Sequence, residues 1–141
     1  MFCERLSFIL MPLQAVDQAA YRKFFSTDDH TFVVTQLVEK AQEFNLPIWF
    51  VLIDYSKAFD SVEHTMLWKV LKDQRVPPYY ILLLKRLYSG AQAYVRTDVS
   101  LRSFCVCRGA RQGDLISPLL FIAVMEHIFT CLKVQWQRAN A

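Results

Sequence analysis

Asp54 closes the run Ile48-Trp49-Phe50-Val51-Leu52-Ile53, which is apolar throughout. A carboxylate at the end of such a run would be held by a strand yet stand at its open mouth, where it can bind a divalent cation. The same residue can equally cap the turn that follows. A second polar string, Arg108-Gly109-Ala110-Arg111-Gln112-Gly113-Asp114, leads into the helix-start pair Ser117-Pro118. Here Gly113 lets a base or sugar approach the backbone, Gln112 offers both a donor and an acceptor, and Arg108 and Arg111 can meet phosphates. Taken alone, the string also reads as a glycine-rich turn ahead of a capped helix.

Other reactive side chains point to less. His30, His64 and His127 are scattered, with no nucleophile or metal partner at a useful spacing, and read as surface or capping residues. Cys3, Cys105, Cys107 and Cys131 lack the second pair or spaced His that a zinc site needs, and read as free thiols of a reducing compartment. The adjacent acids Asp28 and Asp29 sit where a helix should begin and suit its N-terminal dipole.

The elements that must carry these residues follow from periodicity. Phe32, Val33, Leu37, Val38, Ala41 and Phe44 recur at helical spacing, up to a stop near Asn45 and Pro47. Ile48 to Ile53 is too short for a helix and too continuous for a half-exposed strand, so a buried central strand is expected. Asp60 or Ser61 is placed to cap a helix through Val62, Met66, Leu67, Val70 and Leu71. Pro77-Pro78 ends that helix and opens another through Ile81, Leu84 and Leu87. Ala91 to Thr97 and Leu101 to Val106 form a hairpin around Asp98-Val99-Ser100. A last helix, capped by Ser117, runs to about Lys133, and Gln135 to Ala141 is a loose tail. Strands interspersed with helices, without repeats or linkers, make one α+β unit.

The chain has 141 residues, 54% of them hydrophobic and 14% aromatic. Disordered chains lack such composition, and a small soluble domain needs less of it, which suggests faces to be covered by further chain or a partner. A net charge of +3 suits a nucleic-acid partner without requiring one. The opening segment is broken by Glu4 and Arg5, unlike a secretory signal, and the separate apolar runs fall short of the roughly 18 residues that span a bilayer. An intracellular protein of cytoplasm or nucleus, without membrane association, is expected.

Phe50-Val51-Leu52-Ile53-Asp54-Tyr55-Ser56-Lys57-Ala58-Phe59-Asp60-Ser61-Val62 closely resembles motif A in the palm of LINE-type (non-LTR) retrotransposon reverse transcriptases. Arg108 to Phe121 resembles their motif B, with the Arg111-Gln112-Gly113-Asp114 core intact and Ala110, Leu115 and Ile122 departing from the usual Val, Pro and Asn. Gln18-Ala19-Ala20-Tyr21-Arg22 and the following Ser26-Thr27 resemble a motif of the fingers. There Ala20 and Phe24 stand where glycine is usual, a cost of about 1 kcal/mol or more wherever a positive φ is required.

The resemblance implies a partial right-hand polymerase with helices packed on a small, mainly antiparallel sheet. Residues 1–47 would be a fingers-like segment, 48–134 the palm segment with motifs A and B, and 135–141 the tail. It implies that Asp54 is the catalytic ligand of Mg²⁺, with Mn²⁺ as a substitute. Phe59 would lie under the sugar of the incoming deoxynucleoside triphosphate and crowd out a 2′-hydroxyl. Gln112 and Gly113 would position the template–nucleotide pair, Arg22 would face phosphate, and Arg108 and Arg111 would contact nucleic acid. Backbone amides from Tyr55 to Ala58 would meet triphosphate oxygens, as successive amides in a turn form an anion cradle.

The family also carries a motif C hairpin ending in Asp-Asp, and no Asp-Asp follows Asp54. Two-metal nucleotidyl transfer needs several converging carboxylates. The expectation is therefore a fragment of an RNA-directed DNA polymerase, inactive alone, whose partners are an RNA template, a DNA primer, nucleotides and the remainder of the polypeptide. The alternatives are a non-catalytic nucleic-acid-binding remnant and decayed element sequence.

Overall fold

The computed structural model describes residues 2–22, 24–97, 101–110 and 113–139. Their elements are α1 (Phe2–Leu10), α2 (Thr27–Glu43), α3 (His64–Asp73), α4 (Pro78–Tyr88), β1 (Gln92–Arg96), β2 (Leu101–Cys105) and α5 (Ser117–Ala139), a mixed α+β set. A single 3₁₀ turn, Met11–Leu13, follows α1 at Pro12. The chain divides into two compact units, Val16–Ser56 and Met1–Ala15 with Lys57–Ala141.

In the larger unit the core is helical. Leu6 and Leu10 of α1, Leu67 and Leu71 of α3, Leu84 of α4 and Leu120 of α5 are all but sealed from solvent. With Val70 of α3, Tyr80 and Tyr88 of α4 and Val124 of α5, also buried, they recur at three- or four-residue spacing, which lays one apolar stripe of each helix inward. Helix α3 ends in a left-handed turn without glycine: Arg75 takes φ +58° and the Val76 amide reaches back to the Leu71 carbonyl at 2.9 Å. Buried Val76 then turns the chain into α4. Strands β1 and β2 pair antiparallel, Gln92 opposite Cys105 and Arg96 opposite Leu101, as the two β segments of the sequence anticipate. The expected turn residues Asp98 to Ser100 lie outside the described residues.

The smaller unit holds α2. Ser26 caps it: its hydroxyl accepts the Asp29 amide at 3.2 Å, and the Asp29 carboxylate takes the Ser26 amide at 2.9 Å. At the other end Asn45 adopts φ +49° and the Leu46 amide bonds the Ala41 carbonyl at 2.8 Å, so the stop falls where Asn45 and Pro47 place it.

Three expectations need correction here. Ile48 to Ile53 forms no strand: Trp49 is 89% exposed and Leu52 96%, and the β1–β2 hairpin is the sheet found among the described residues. A central strand exists only through ladders on both sides, and no described segment supplies them. Helix α3 starts at His64, with Glu63 before it, rather than from a cap at Asp60 or Ser61; the Ser61 hydroxyl instead donates to the Lys57 carbonyl at 2.8 Å within a preceding turn. Helix α5 continues through Ala139, since nothing from Val134 to Ala139 breaks a helix and Arg138 suits its C-terminal end. That makes α5 long and apolar enough to cross a bilayer by length and composition, which the separate runs did not suggest. Its first turns, through Leu119, Leu120, Ala123 and Val124, are core of the larger unit, and 28% of the apolar window is buried in this way.

Candidate functional site

The end of the string that resembles motif A and the string that resembles motif B meet, backbone to backbone, in the larger unit. The Ala110 amide donates to the Phe59 carbonyl and the Gly109 amide to the Val62 carbonyl, both at 2.8 Å. Glu63 and Arg108 form an isolated antiparallel bridge, and their side chains add an ion pair of 2.8 Å. Gly109 makes this approach possible. It holds φ +92°, and a Cβ there would stand 3.2 Å from the Asp60 α-carbon.

Phe59 is half-buried, its ring 4.8 Å from that of Phe121 on α5. The contact ties the motif A turn to the motif B helix through side chains as well as backbone. Leu120, the neighbour of Phe121, is fully buried, so α5 gives this ring a rigid base.

Beyond the clamp, Gly113 takes φ +84° and is exposed, with nothing within 4 Å of where a Cβ would be. Asp114 then starts α5: its carboxylate accepts the Ile116 amide and its carbonyl the Ser117 amide, each at 3.2 Å. Asp114 thus does the capping expected of Ser117, which is itself buried as the first helical residue. Arg111 and Gln112 lie outside the described residues.

Asp54, Tyr55 and Arg22 belong to the smaller unit. Asp54 is exposed on irregular backbone, and Tyr55 is 41% exposed. Arg22 is half-buried: its guanidinium donates to the Gln18 carbonyl at 2.9 Å and lies over the Phe25 ring, 4.6 Å from the centroid. Next to it, Phe24 takes φ +69°, the left-handed conformation for which glycine is usual. Arg108, of the larger unit, stays exposed even though Glu63 pairs with it.

The arrangement fastens Gly109 and Ala110 to the turn that carries the Phe59 ring. It does not itself compose a metal centre: among the described residues no three His, Cys, Asp or Glu side chains are grouped to hold an ion. The four cysteines are free thiols. His64, expected as a surface or capping residue, has a different place. His64 is half-buried, and its Nε2 lies 2.9 Å from the Gly109 carbonyl, 45 positions away. A carbonyl only accepts, so Nε2 carries the proton.

Comparison with known proteins gives this clamp a context. A family described as reverse transcriptase (RNA-dependent DNA polymerase) matches residues 3–140. The chain is 29% identical over 115 residues to the Retrovirus-related Pol polyprotein from type-2 retrotransposable element R2DM of Drosophila melanogaster, covering 79% of the chain and 11% of that protein. It is 32% identical over 105 residues to the Transposon TX1 uncharacterized 149 kDa protein of Xenopus laevis, covering 74% of the chain and 8% of that protein. To the type-1 element R2 Pol polyprotein of Nasonia vitripennis it is 31% identical over 103 residues, covering 71% and 10%. No solved structure matches. The chain belongs to the reverse transcriptase (RNA-dependent DNA polymerase) family, among the Pol proteins of non-LTR retrotransposons. It spans about a tenth of the length of these relatives.

Proposed function

We propose that this chain is the part of an RNA-directed DNA polymerase that presents motifs A and B, and that it does not polymerise alone. The observation that supports this most is the clamp. Two strings that resemble the family's nucleotide-handling motifs, separated by the whole of α3, α4 and the hairpin, are hydrogen-bonded to each other through Phe59–Ala110 and Val62–Gly109.

Within the complete polypeptide, Asp54 is this chain's contribution to a Mg²⁺ or Mn²⁺ centre whose remaining carboxylates come from elsewhere. Phe59 then carries the nucleotide sugar, Gln112 and Gly113 position the base pair with the template, Tyr55 flanks the triphosphate, and Arg22, Arg108 and Arg111 meet phosphates of nucleotide, RNA template or DNA primer. The engagement of Arg108 by Glu63 and of Arg22 by Phe25 leaves each guanidinium partly oriented in advance.

The test is primer extension on an RNA template with Mg²⁺ and deoxynucleoside triphosphates. It compares the 141-residue chain with a polypeptide that continues through an aromatic-x-Asp-Asp segment. Extension by the longer polypeptide alone is the expected result. Extension by the short chain would overturn its proposed inactivity. If neither extends a primer but both bind RNA in a salt-sensitive way, the chain is a non-catalytic binding remnant.

A further inference from the structure

His64 occupies the first position of α3, and three contacts fix its ring. Its Nε2–H donates to the Gly109 carbonyl at 2.9 Å. Its face meets Tyr88 of α4 edge-on at 5.0 Å, and Trp68, one turn along α3, lies 6.0 Å away. Trp68 and Tyr88 are themselves T-packed at 5.9 Å, and Tyr88 is buried. A ring in edge-to-face contact with Tyr88 and in tilted contact with Trp68 has little freedom to swing away from its acceptor.

The acceptor is the informative part. Gly109 is the residue through which motif B is fastened to motif A. Its amide is spent on Val62, and the next amide, Ala110, is spent on the Phe59 carbonyl. Without His64 the carbonyl of buried Gly109 would lose this donor, and the peptide between Gly109 and Ala110 would keep one anchor, the Ala110–Phe59 bond, where it now has two. That peptide carries the Ala110 amide which holds Phe59.

We propose that His64 is a positioning residue for nucleotide selection. By holding the Gly109 carbonyl it fixes the Gly109–Ala110 peptide, and through it the placement of Phe59 against the start of the motif B string. This inference rests on the polymerase reading above, with Phe59 as the residue under the nucleotide sugar. His64 touches no substrate and acts only through Gly109.

Two measurements separate the inference from that reading. Hydrogen exchange on the 141-residue chain needs no activity: His64→Ala should speed exchange of the Gly109 and Ala110 amides, and His64→Gln, whose side-chain amide can replace the Nε2–H donor, should restore protection. Unchanged exchange in His64→Ala would overturn the clamp even if the chain is polymerase in origin. Primer extension by the longer polypeptide then reads the consequence. His64→Ala should raise KM for the deoxynucleotide about five- to tenfold, the equivalent of one hydrogen bond, with kcat little changed and His64→Gln close to wild type. A fall in kcat with unchanged KM, or no rescue by Gln, would overturn the positioning role. Absence of extension by the wild-type polypeptide would instead count against the polymerase reading.

Discussion

Gly109 faces the backbone of Asp60 so closely that a methyl group on its α-carbon would stand 3.2 Å from the Asp60 α-carbon and 3.4 Å from its carbonyl oxygen. Neither is the movable end of a side chain. Gly113, at the other end of the same string, also has positive φ but meets nothing within 4 Å.

The pair predicts a graded result. Gly113→Ala should cost about 1 kcal/mol from the left-handed backbone alone. Gly109→Ala should cost more, about 2–3 kcal/mol, because overpacking adds to the same strain. Urea unfolding of the two variants checks the order, and equal losses would mean that the motif A turn yields easily.

Phe24 offers the reverse case. It holds φ +69° with its side chain fully exposed, so it carries backbone strain with no burial in return. Phe24→Gly should relieve the strain, and after the extra entropy of an unfolded glycine the net gain is about 0.5–1 kcal/mol. Differential scanning calorimetry of the variant should show a higher Tm, whereas a lower one would mean that the Phe24 ring makes a contact that stabilises the fold.

The cap of α2 predicts a pH dependence. Hydrogen bonds from the Ser26 amide and hydroxyl hold the Asp29 carboxyl below its ordinary value. A group whose folded pKa is depressed contributes stability above its unfolded pKa, and the contribution is lost as pH falls through the folded value. Helicity attributable to α2 should therefore be steady near neutrality and fall below about pH 4. Far-ultraviolet circular dichroism of wild type and Asp29→Asn checks this: the acid loss should be smaller in Asp29→Asn.

How much was legible in the residues depended on the range of the interaction. Asp28 and Asp29 at the start of α2 and Asn45 before Pro47 at its end are local signals that the structure follows, whereas α3 stops at Asp73, short of Pro77, and Pro78 opens α4. The run Ile48 to Ile53 has the composition of a buried strand yet stands exposed, because burial of a strand is completed by neighbouring strands, and its own letters cannot supply them. Asp60 and Ser61 were misplaced as caps because the turn from Lys57 to Ser61 depends on its contact with Gly109, far along the chain. His64 reads as a surface or capping residue for the same reason: its partner is a backbone carbonyl, which leaves no mark in the sequence. The family motifs were readable because they are contiguous strings, whereas the clamp that joins them was not.

The central claim is that Asp54 serves a polymerase. The most direct test is primer extension, with Mg²⁺ on an RNA template, by the longer polypeptide carrying Asp54→Asn, which keeps the side chain's shape and removes its charge. The account predicts loss of extension with RNA binding retained, since Arg22, Arg108 and Arg111 are untouched. Extension at the wild-type rate would contradict it and return Asp54 to the role of a turn residue.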